Sequence, residues 1–109
     1  MTKGSGAYGD WTNYETWYVA YQFDSDSATT KAIDNICRSG ISSHKPVVNY
    51  LKSRVHKLTP VKPKLVKTDD WSDILSNRLA SVNWEEIAEF FIDYYGTDFT
   101  LSYDFDSVP

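Results

Sequence analysis

Two histidines, one cysteine and three acidic runs are the residues of this chain best suited to chemistry, and their spacing argues against catalysis. His44 and His56 lie twelve residues apart, too far to share a helix face as the i, i+4 histidines of a helical zinc site do. Cys37 falls among Ala32, Ile33 and Ile36 on what reads as an apolar helix stripe, where a buried thiol is inert. A lone cysteine also excludes an internal disulfide framework and a cysteine-based zinc site. Glu85, Glu86, Glu89 and Asp93 form one carboxylate series and Asp69, Asp70 and Asp73 another. General acid–base work would require one of them in an apolar pocket, whereas Glu85, Glu89 and Asp93 recur every four residues along one outer helical face. Asp24-Ser25-Asp26-Ser27 starts like a calcium loop but lacks the central glycine and the closing glutamate. Neither a P-loop nor a G-x-S-x-G pattern occurs, and the glycines Gly4, Gly6 and Gly9, though spaced as G-x-G-x-x-G, lie in the tail and follow no strand, so they make no phosphate cradle. The expectation is a protein that is not an enzyme and that takes no cofactor and no metal.

Binding surfaces remain. Sixteen per cent of the 109 residues are aromatic, and aromatic side chains fill small cores but also concentrate at interfaces. The formal net charge of −4 hides a segregation into blocks: residues 1–30 carry −3, residues 31–67 carry +8 and residues 68–109 carry −9. Such blocks either neutralise one another in the fold or face a partner. The acidic face comprises Glu85, Glu86, Glu89, Asp93, Asp98 and Asp104, with Tyr94 and Tyr103 among them. It has the character of a surface that a basic nucleic-acid channel would accept. The basic alternative comprises Lys45, Lys52, Arg54, Lys57, Lys62 and Lys64, which could meet phosphates.

The elements that must position these residues are mostly helices. Residues 1–10 are rich in small residues and read as a flexible tail, and residues 11–109 read as a single helical domain with a basic connector at 59–68. Thr12 and Glu15 fit a capping box ahead of a helix that runs to about Phe23, with Tyr14, Trp17, Tyr18 and Tyr21 on one broad face. Ser27 is the expected cap of a second helix ending near Arg38 and Gly40. A third starts at Ser43 or His44 and buries Val47, Val48, Leu51, Val55 and Leu58. Pro60 and Pro63 favour an extended, solvated connector. Asp69 or Asp70 caps a fourth helix with Trp71, Ile74, Leu75 and Leu79 on one side, and Asn83 opens a fifth that buries Trp84, Ile87, Ala88, Phe91 and Tyr95. Phe99, Leu101, Tyr103 and Phe105 alternate in strand fashion. The expected fold is therefore mainly α, a small bundle of four or five short helices with an extended or strand-like C-terminal segment. No apolar run approaches the roughly 20 residues that cross a bilayer, and the N-terminus lacks a signal peptide's apolar stretch. The chain is expected to be soluble and cytoplasmic, with no membrane partner.

Two stretches carry a resemblance. Trp11-Thr12-Asn13-Tyr14-Glu15-Thr16-Trp17-Tyr18-Val19-Ala20 resembles the signature "W-T-N-Y-E-T-W-N-V-A-L-W" of small uncharacterised proteins from bacteriophages, plasmids and bacteria. Val82-Asn83-Trp84-Glu85-Glu86-Ile87-Ala88-Glu89 is similar to their C-terminal "V-N-W-x-E-I-A-E" element. Together the two cover about 20 of the 109 residues. The chain departs from the pattern at Tyr18, where asparagine is usual, and at Tyr21-Gln22, where Leu-Trp is usual. The resemblance implies a largely helical fold and a phage or mobile-element setting in the cytoplasm of a bacterial host. Small accessory proteins of that setting often inhibit a host protein, a defence nuclease or CRISPR effector being the concrete case. The leading functional expectation is a non-enzymatic inhibitor that binds a host protein through the acidic–aromatic face. The alternatives are a small nucleic-acid-binding regulator using residues 45–67 and a structural or homo-oligomeric accessory protein. Physically, each motif pairs a helix cap with a tryptophan and a carboxylate. Thr12, Asn13, Tyr14, Glu15, Trp17 and Trp84 are expected to form one structural unit, with Trp17 packed on Trp84 and the Asn13–Glu15 end held by side-chain hydrogen bonds.

Overall fold

A computed structural model describes residues 8–63 and 66–96. Lys64, the alternating segment at 97–105, and Asp98, Tyr103 and Asp104 within it lie outside the described residues. The chain is mainly helical. Helix α1 spans Tyr14–Asp24, α2 Ser27–Arg38, α3 Lys45–Arg54, α4 Trp71–Asp73 and α5 Trp84–Phe91. A 3₁₀ turn, Tyr8–Asp10, precedes α1, and another, Val55–Lys57, extends α3. Beyond α4 the chain widens into a π turn, Ile74–Arg78, then tightens into a 3₁₀ turn, Leu79–Ser81. The π turn stacks residues five apart, which brings the Arg78 guanidinium 2.6 Å from Asp73. A second π turn, Ile92–Gly96, continues α5.

Helix α1 lies at the centre. Trp17, Tyr18, Val19, Ala20 and Phe23 are all buried, and only a helix enclosed by others buries side chains on every face. The single aromatic face expected from sequence is therefore too narrow. Tyr14 and Tyr21 of that face are only partly buried, while Val19 and Ala20 across from it are enclosed. Ile33 and Cys37 of α2, Trp71 and Ile74, and Ile87, Ala88 and Phe91 of α5 join α1 in one core, which Val47 and Leu51 of α3 extend beside α2 and α5. Phe90, absent from the expected stripe of α5, is buried as well, edge-on to Trp11 with centroids 5.3 Å apart. Trp84 and Tyr95 of that stripe are only partly buried. The aromatic pair joining α1 to α5 is Phe23–Trp84 at 6.5 Å, in place of the expected Trp17–Trp84 pair. Trp17 sits instead among Tyr14, Tyr18 and Tyr21, with centroids 5.7 to 6.1 Å away.

Two helix starts lie one residue away from where the sequence suggests. Asn13, not Thr12, caps α1, and its Oδ1 accepts from both the backbone N–H (2.9 Å) and the hydroxyl (2.6 Å) of Thr16. Asp26, not Ser27, caps α2 and takes the same two bonds from Thr29. At each cap a threonine three residues on offers two donors to one carbonyl or carboxylate oxygen; Ser27 has Thr30 at the same spacing, but there the Thr30 hydroxyl donates to the Ser27 carbonyl, and the Asp26 carboxylate also accepts from Arg54. Gly40 stops α2 with φ +86, a left-handed conformation that glycine adopts without a Cβ penalty.

The connector after α3 is extended but tied down. Gln22, 2% exposed, accepts from the Val61 backbone N–H at 2.7 Å and donates to the Val61 carbonyl. The primary amide thereby satisfies both of its own polar ends inside the core, as a buried amide must. It also holds the proline segment against α1, with Leu58, Pro63 and Val66 buried and the Val61 side chain facing outward. No helix among the described residues is long and apolar enough to cross a membrane.

Candidate interaction surface

The two motifs meet at the entrances of α1 and α5, and that joint sets where α5 points. Asn83 caps α5 by accepting from the Glu86 N–H at 3.0 Å. Glu86, three residues past its cap, does not turn back on its own helix: its carboxylate accepts from the Thr12 N–H at 3.1 Å. Thr16, three residues past the α1 cap, accepts from the Asn83 N–H at 2.9 Å. Each helix thus supplies the residue that closes the other's entrance, a capping box exchanged between two helices. The Asn13 amide adds a bond to the Ser81 carbonyl at 2.8 Å. Glu15 takes no part in capping and pairs with Arg78 at 3.1 Å. Two helix N-termini side by side would repel through their dipoles. Glu15, Glu85 and Glu86 in the first turns offset that.

The α1 side of the joint is also fixed to α4. The Tyr14 hydroxyl donates to Asp70 at 2.7 Å and the Tyr18 hydroxyl to Asp69 at 3.4 Å, while Trp71 stacks on the Tyr18 ring. Burial, then the hydrogen bond and charge of Asp70, pushes the Tyr14 phenol well above its ordinary pKa of 10.0. Burial and the Asp69 charge raise that of Tyr18. Burial pushes the Cys37 thiol up, with the Asp34 charge adding to it, so Cys37 is a packed thiol poorly suited to nucleophilic work. Among the described residues, no group of three or more His, Cys, Asp or Glu side chains is placed to hold a metal ion.

Held in this way, α5 turns Glu85 and Glu89 to solvent, and the π turn beyond it exposes Asp93 and Tyr94, the latter by 56%. Glu86, placed by sequence with this acidic face, is half-buried in the joint. Beside α5 lies α3, and between them runs an open groove. A section of 620 Å³ is lined by Ser43, His44, Lys45, Val48, Asn49, Lys52 and Glu85. An adjoining section of 310 Å³ is lined by His44, Asn83, Glu85, Glu86 and Glu89. The first carries one cationic wall, with Lys45 and Lys52 two helical turns apart, and the second is walled by carboxylates.

The basic residues grouped by sequence do not form one free patch. Arg54 is half-buried and bonded to the α2 cap Asp26 at 3.0 Å. Burial would raise the Asp26 pKa, but the bonds from Thr29 and Arg54 outweigh it and hold the carboxyl below its ordinary 3.8. The Lys62 ammonium donates to the Lys67 carbonyl at 2.9 Å. Lys45, Lys52 and Lys57 remain exposed. By sequence Ser43, His44 and Asn83 stand out only as helix starts, and Asn49 not at all. The spacing Lys45, Val48, Asn49, Lys52 is the one-face pattern i, i+3, i+4, i+7 that could have marked this wall. Compared with known protein families, curated proteins and solved structures, the chain matches none of them.

Proposed function

We propose that this chain is a non-enzymatic binding protein that docks a host protein through the outward face of α5 and thereby inhibits it. The observation that carries the reading is the arrangement of Glu85, Glu89, Asp93 and the largely exposed Tyr94 on one rigidly held element. Tyrosine in an open position supplies contact area with little conformational entropy to lose. Carboxylates around it steer a positively charged surface into place and fix its register. The setting follows from the resemblance of the two motifs to small phage, plasmid and bacterial proteins. In that setting the target is a defence nuclease, a CRISPR effector or part of the gene-expression machinery, in the cytoplasm of a bacterial host.

The test is a tagged pull-down from bacterial lysate with and without nuclease, read by mass spectrometry. It is repeated with the double variant Glu85→Lys/Glu89→Lys and with Tyr94→Ala. Glu86 is left intact because it closes the α1 entrance. The expected result is a host protein held in near-equal amount after nuclease treatment and lost with either variant, while circular dichroism stays helical. Undiminished retention by both variants would remove α5 as the docking face. Recovery of nucleic acid, with the proteins lost on nuclease treatment, would favour a nucleic-acid regulator acting through Lys45, Lys52 and Lys57.

A further inference from the structure

The groove beside α5 bears both signs of charge, and this constrains the partner. Lys45 and Lys52 project from α3 into it, and Glu85 and Glu89 from α5. Helices α3 and α5 pack together in the core, yet among the described residues no ion pair joins Lys45 or Lys52 to Glu85 or Glu89. Elsewhere the chain does pair its charges across elements, Arg54 with Asp26 and Arg78 with Glu15. Here the opposite charges line a common groove and leave their bonding capacity turned into it.

We propose that the occupant of this groove is a protein segment carrying acidic and basic side chains side by side, the acidic ones set against Lys45 and Lys52 and the basic ones against Glu85 and Glu89. This rests on the docking role given above to α5 and names the chemistry of its partner. A nucleic-acid strand presents one sign only, so its phosphates would meet Glu85 and Glu89 at close range, a like-charge juxtaposition that disfavours it. A uniformly basic protein channel meets the same penalty at Lys45 and Lys52. A mixed-charge polypeptide has neither conflict. The Asn49 amide offers a donor and an acceptor for its backbone, and half-buried Val48 gives apolar contact at the base of the groove. The seven-residue interval between Lys45 and Lys52 spans about 10 Å along the helix, which calls for acidic residues of the partner separated by a similar distance.

The experiment compares wild type, Lys45→Glu/Lys52→Glu and Glu85→Lys/Glu89→Lys as baits in nuclease-treated bacterial lysate, each verified as folded by circular dichroism. The host protein retained by wild type is quantified by mass spectrometry. The expected result is that both variants lose it at least tenfold, and that paired loss, not capture itself, supports the proposal. If Glu85→Lys/Glu89→Lys loses the protein while Lys45→Glu/Lys52→Glu retains as much or more, the two-signed groove is overturned and α5 docks a uniformly basic surface. If neither variant changes retention, the groove is not the contact. If wild type retains nothing, or only nuclease-sensitive material, the docking role of α5 fails and the proposal falls with it.

Discussion

Replacing Thr16 by valine tests whether the exchanged capping box holds the two helix entrances together. Thr16 is fully buried, and its hydroxyl both donates to Asn13 Oδ1 at 2.6 Å and accepts from the Asn83 N–H at 2.9 Å. Valine keeps the branched shape and puts a methyl where the hydroxyl was, so almost no cavity opens. Two hydrogen bonds are lost, each worth about 1 kcal/mol net, and the Asn83 N–H is left without its acceptor at a cost of about 1–3 kcal/mol. Burial of the new methyl returns about 1 kcal/mol. The net loss is therefore about 2–4 kcal/mol, which for a domain near this size lowers Tm by roughly 10–20 °C. Urea unfolding followed by tryptophan fluorescence should show a lower midpoint with an unchanged slope. Thr16→Ser keeps the hydroxyl and should cost only about 1 kcal/mol, the value of the missing methyl. Because Glu86 closes the same joint from the other side, Thr16→Val and Glu86→Ala should couple by about 0.5 kcal/mol or more. A valine variant within about 0.5 kcal/mol of wild type, or a serine variant weaker than the valine one, would refute the role given to this hydroxyl.

Three further perturbations follow from the same contacts. The Asp26 carboxyl lies below its ordinary 3.8 in the folded protein, so its contribution is present above about pH 4 and is lost as pH falls through the folded value. The stability gap between wild type and Asp26→Asn should therefore close on acidification, and parallel Tm profiles from pH 7 to pH 2 would contradict this. The Tyr14 phenol is raised above 10.0, so its contribution is complete below pH 10 and is lost as pH climbs toward the folded value. Tyr14→Phe should cost about 1–3 kcal/mol at pH 7 through the lost bond to Asp70. In absorbance titration at alkaline pH it should also remove one late-ionising phenol, and a titration identical to wild type would count against the buried contact. Gln22→Leu should release the connector from α1 and raise the rate of tryptic cleavage at Lys57 and Lys67 about tenfold or more, since cleavage tracks the open population; an unchanged cleavage pattern would show that packing of Leu58 and Pro63 suffices.

Much of the fold could be read from local patterns, because helices announce themselves through spacing. The stripes Ile33–Cys37, Val47–Leu51–Val55 and Ile87–Ala88–Phe91 all face the core. The caps lie one residue from the expected ones: the threonine three positions after Asn13 marks the first in the sequence, whereas Ser27 has Thr30 at the same spacing, and what sets Asp26 apart is its bond to distant Arg54. The enclosure of α1 was less legible. Tyr14, Trp17, Tyr18 and Tyr21 make a persuasive amphipathic stripe, whereas Thr16 and Gln22, polar by type, are buried because distant backbone at Asn83 and Val61 satisfies them. No periodicity encodes such a partner 67 or 39 residues away.

The surface divides along the same line. Charge blocks are visible in sequence, but which members of a block are consumed is decided by tertiary neighbours. Arg54 and Lys52 are two residues apart on α3, yet Arg54 reaches back to the α2 cap while Lys52 faces the groove. Glu86 and Glu85 are adjacent on α5, yet Glu86 closes the α1 entrance while Glu85 lines the groove. The segregated charge of this chain is thus neither wholly neutralised within the fold nor wholly displayed. One member of each neighbouring pair holds the helices in place, and the other is carried outward by the element so held. Motif residues such as Asn13, Thr16 and Asn83 should accordingly affect stability when changed, and Lys45, Lys52, Glu85 and Glu89 should affect chiefly binding, Glu85 adding only the roughly 0.3–1 kcal/mol of its place in the first turn of α5. Charge reversal at the latter four that unfolded the protein would erase the distinction, because it would make the groove's charges part of the scaffold.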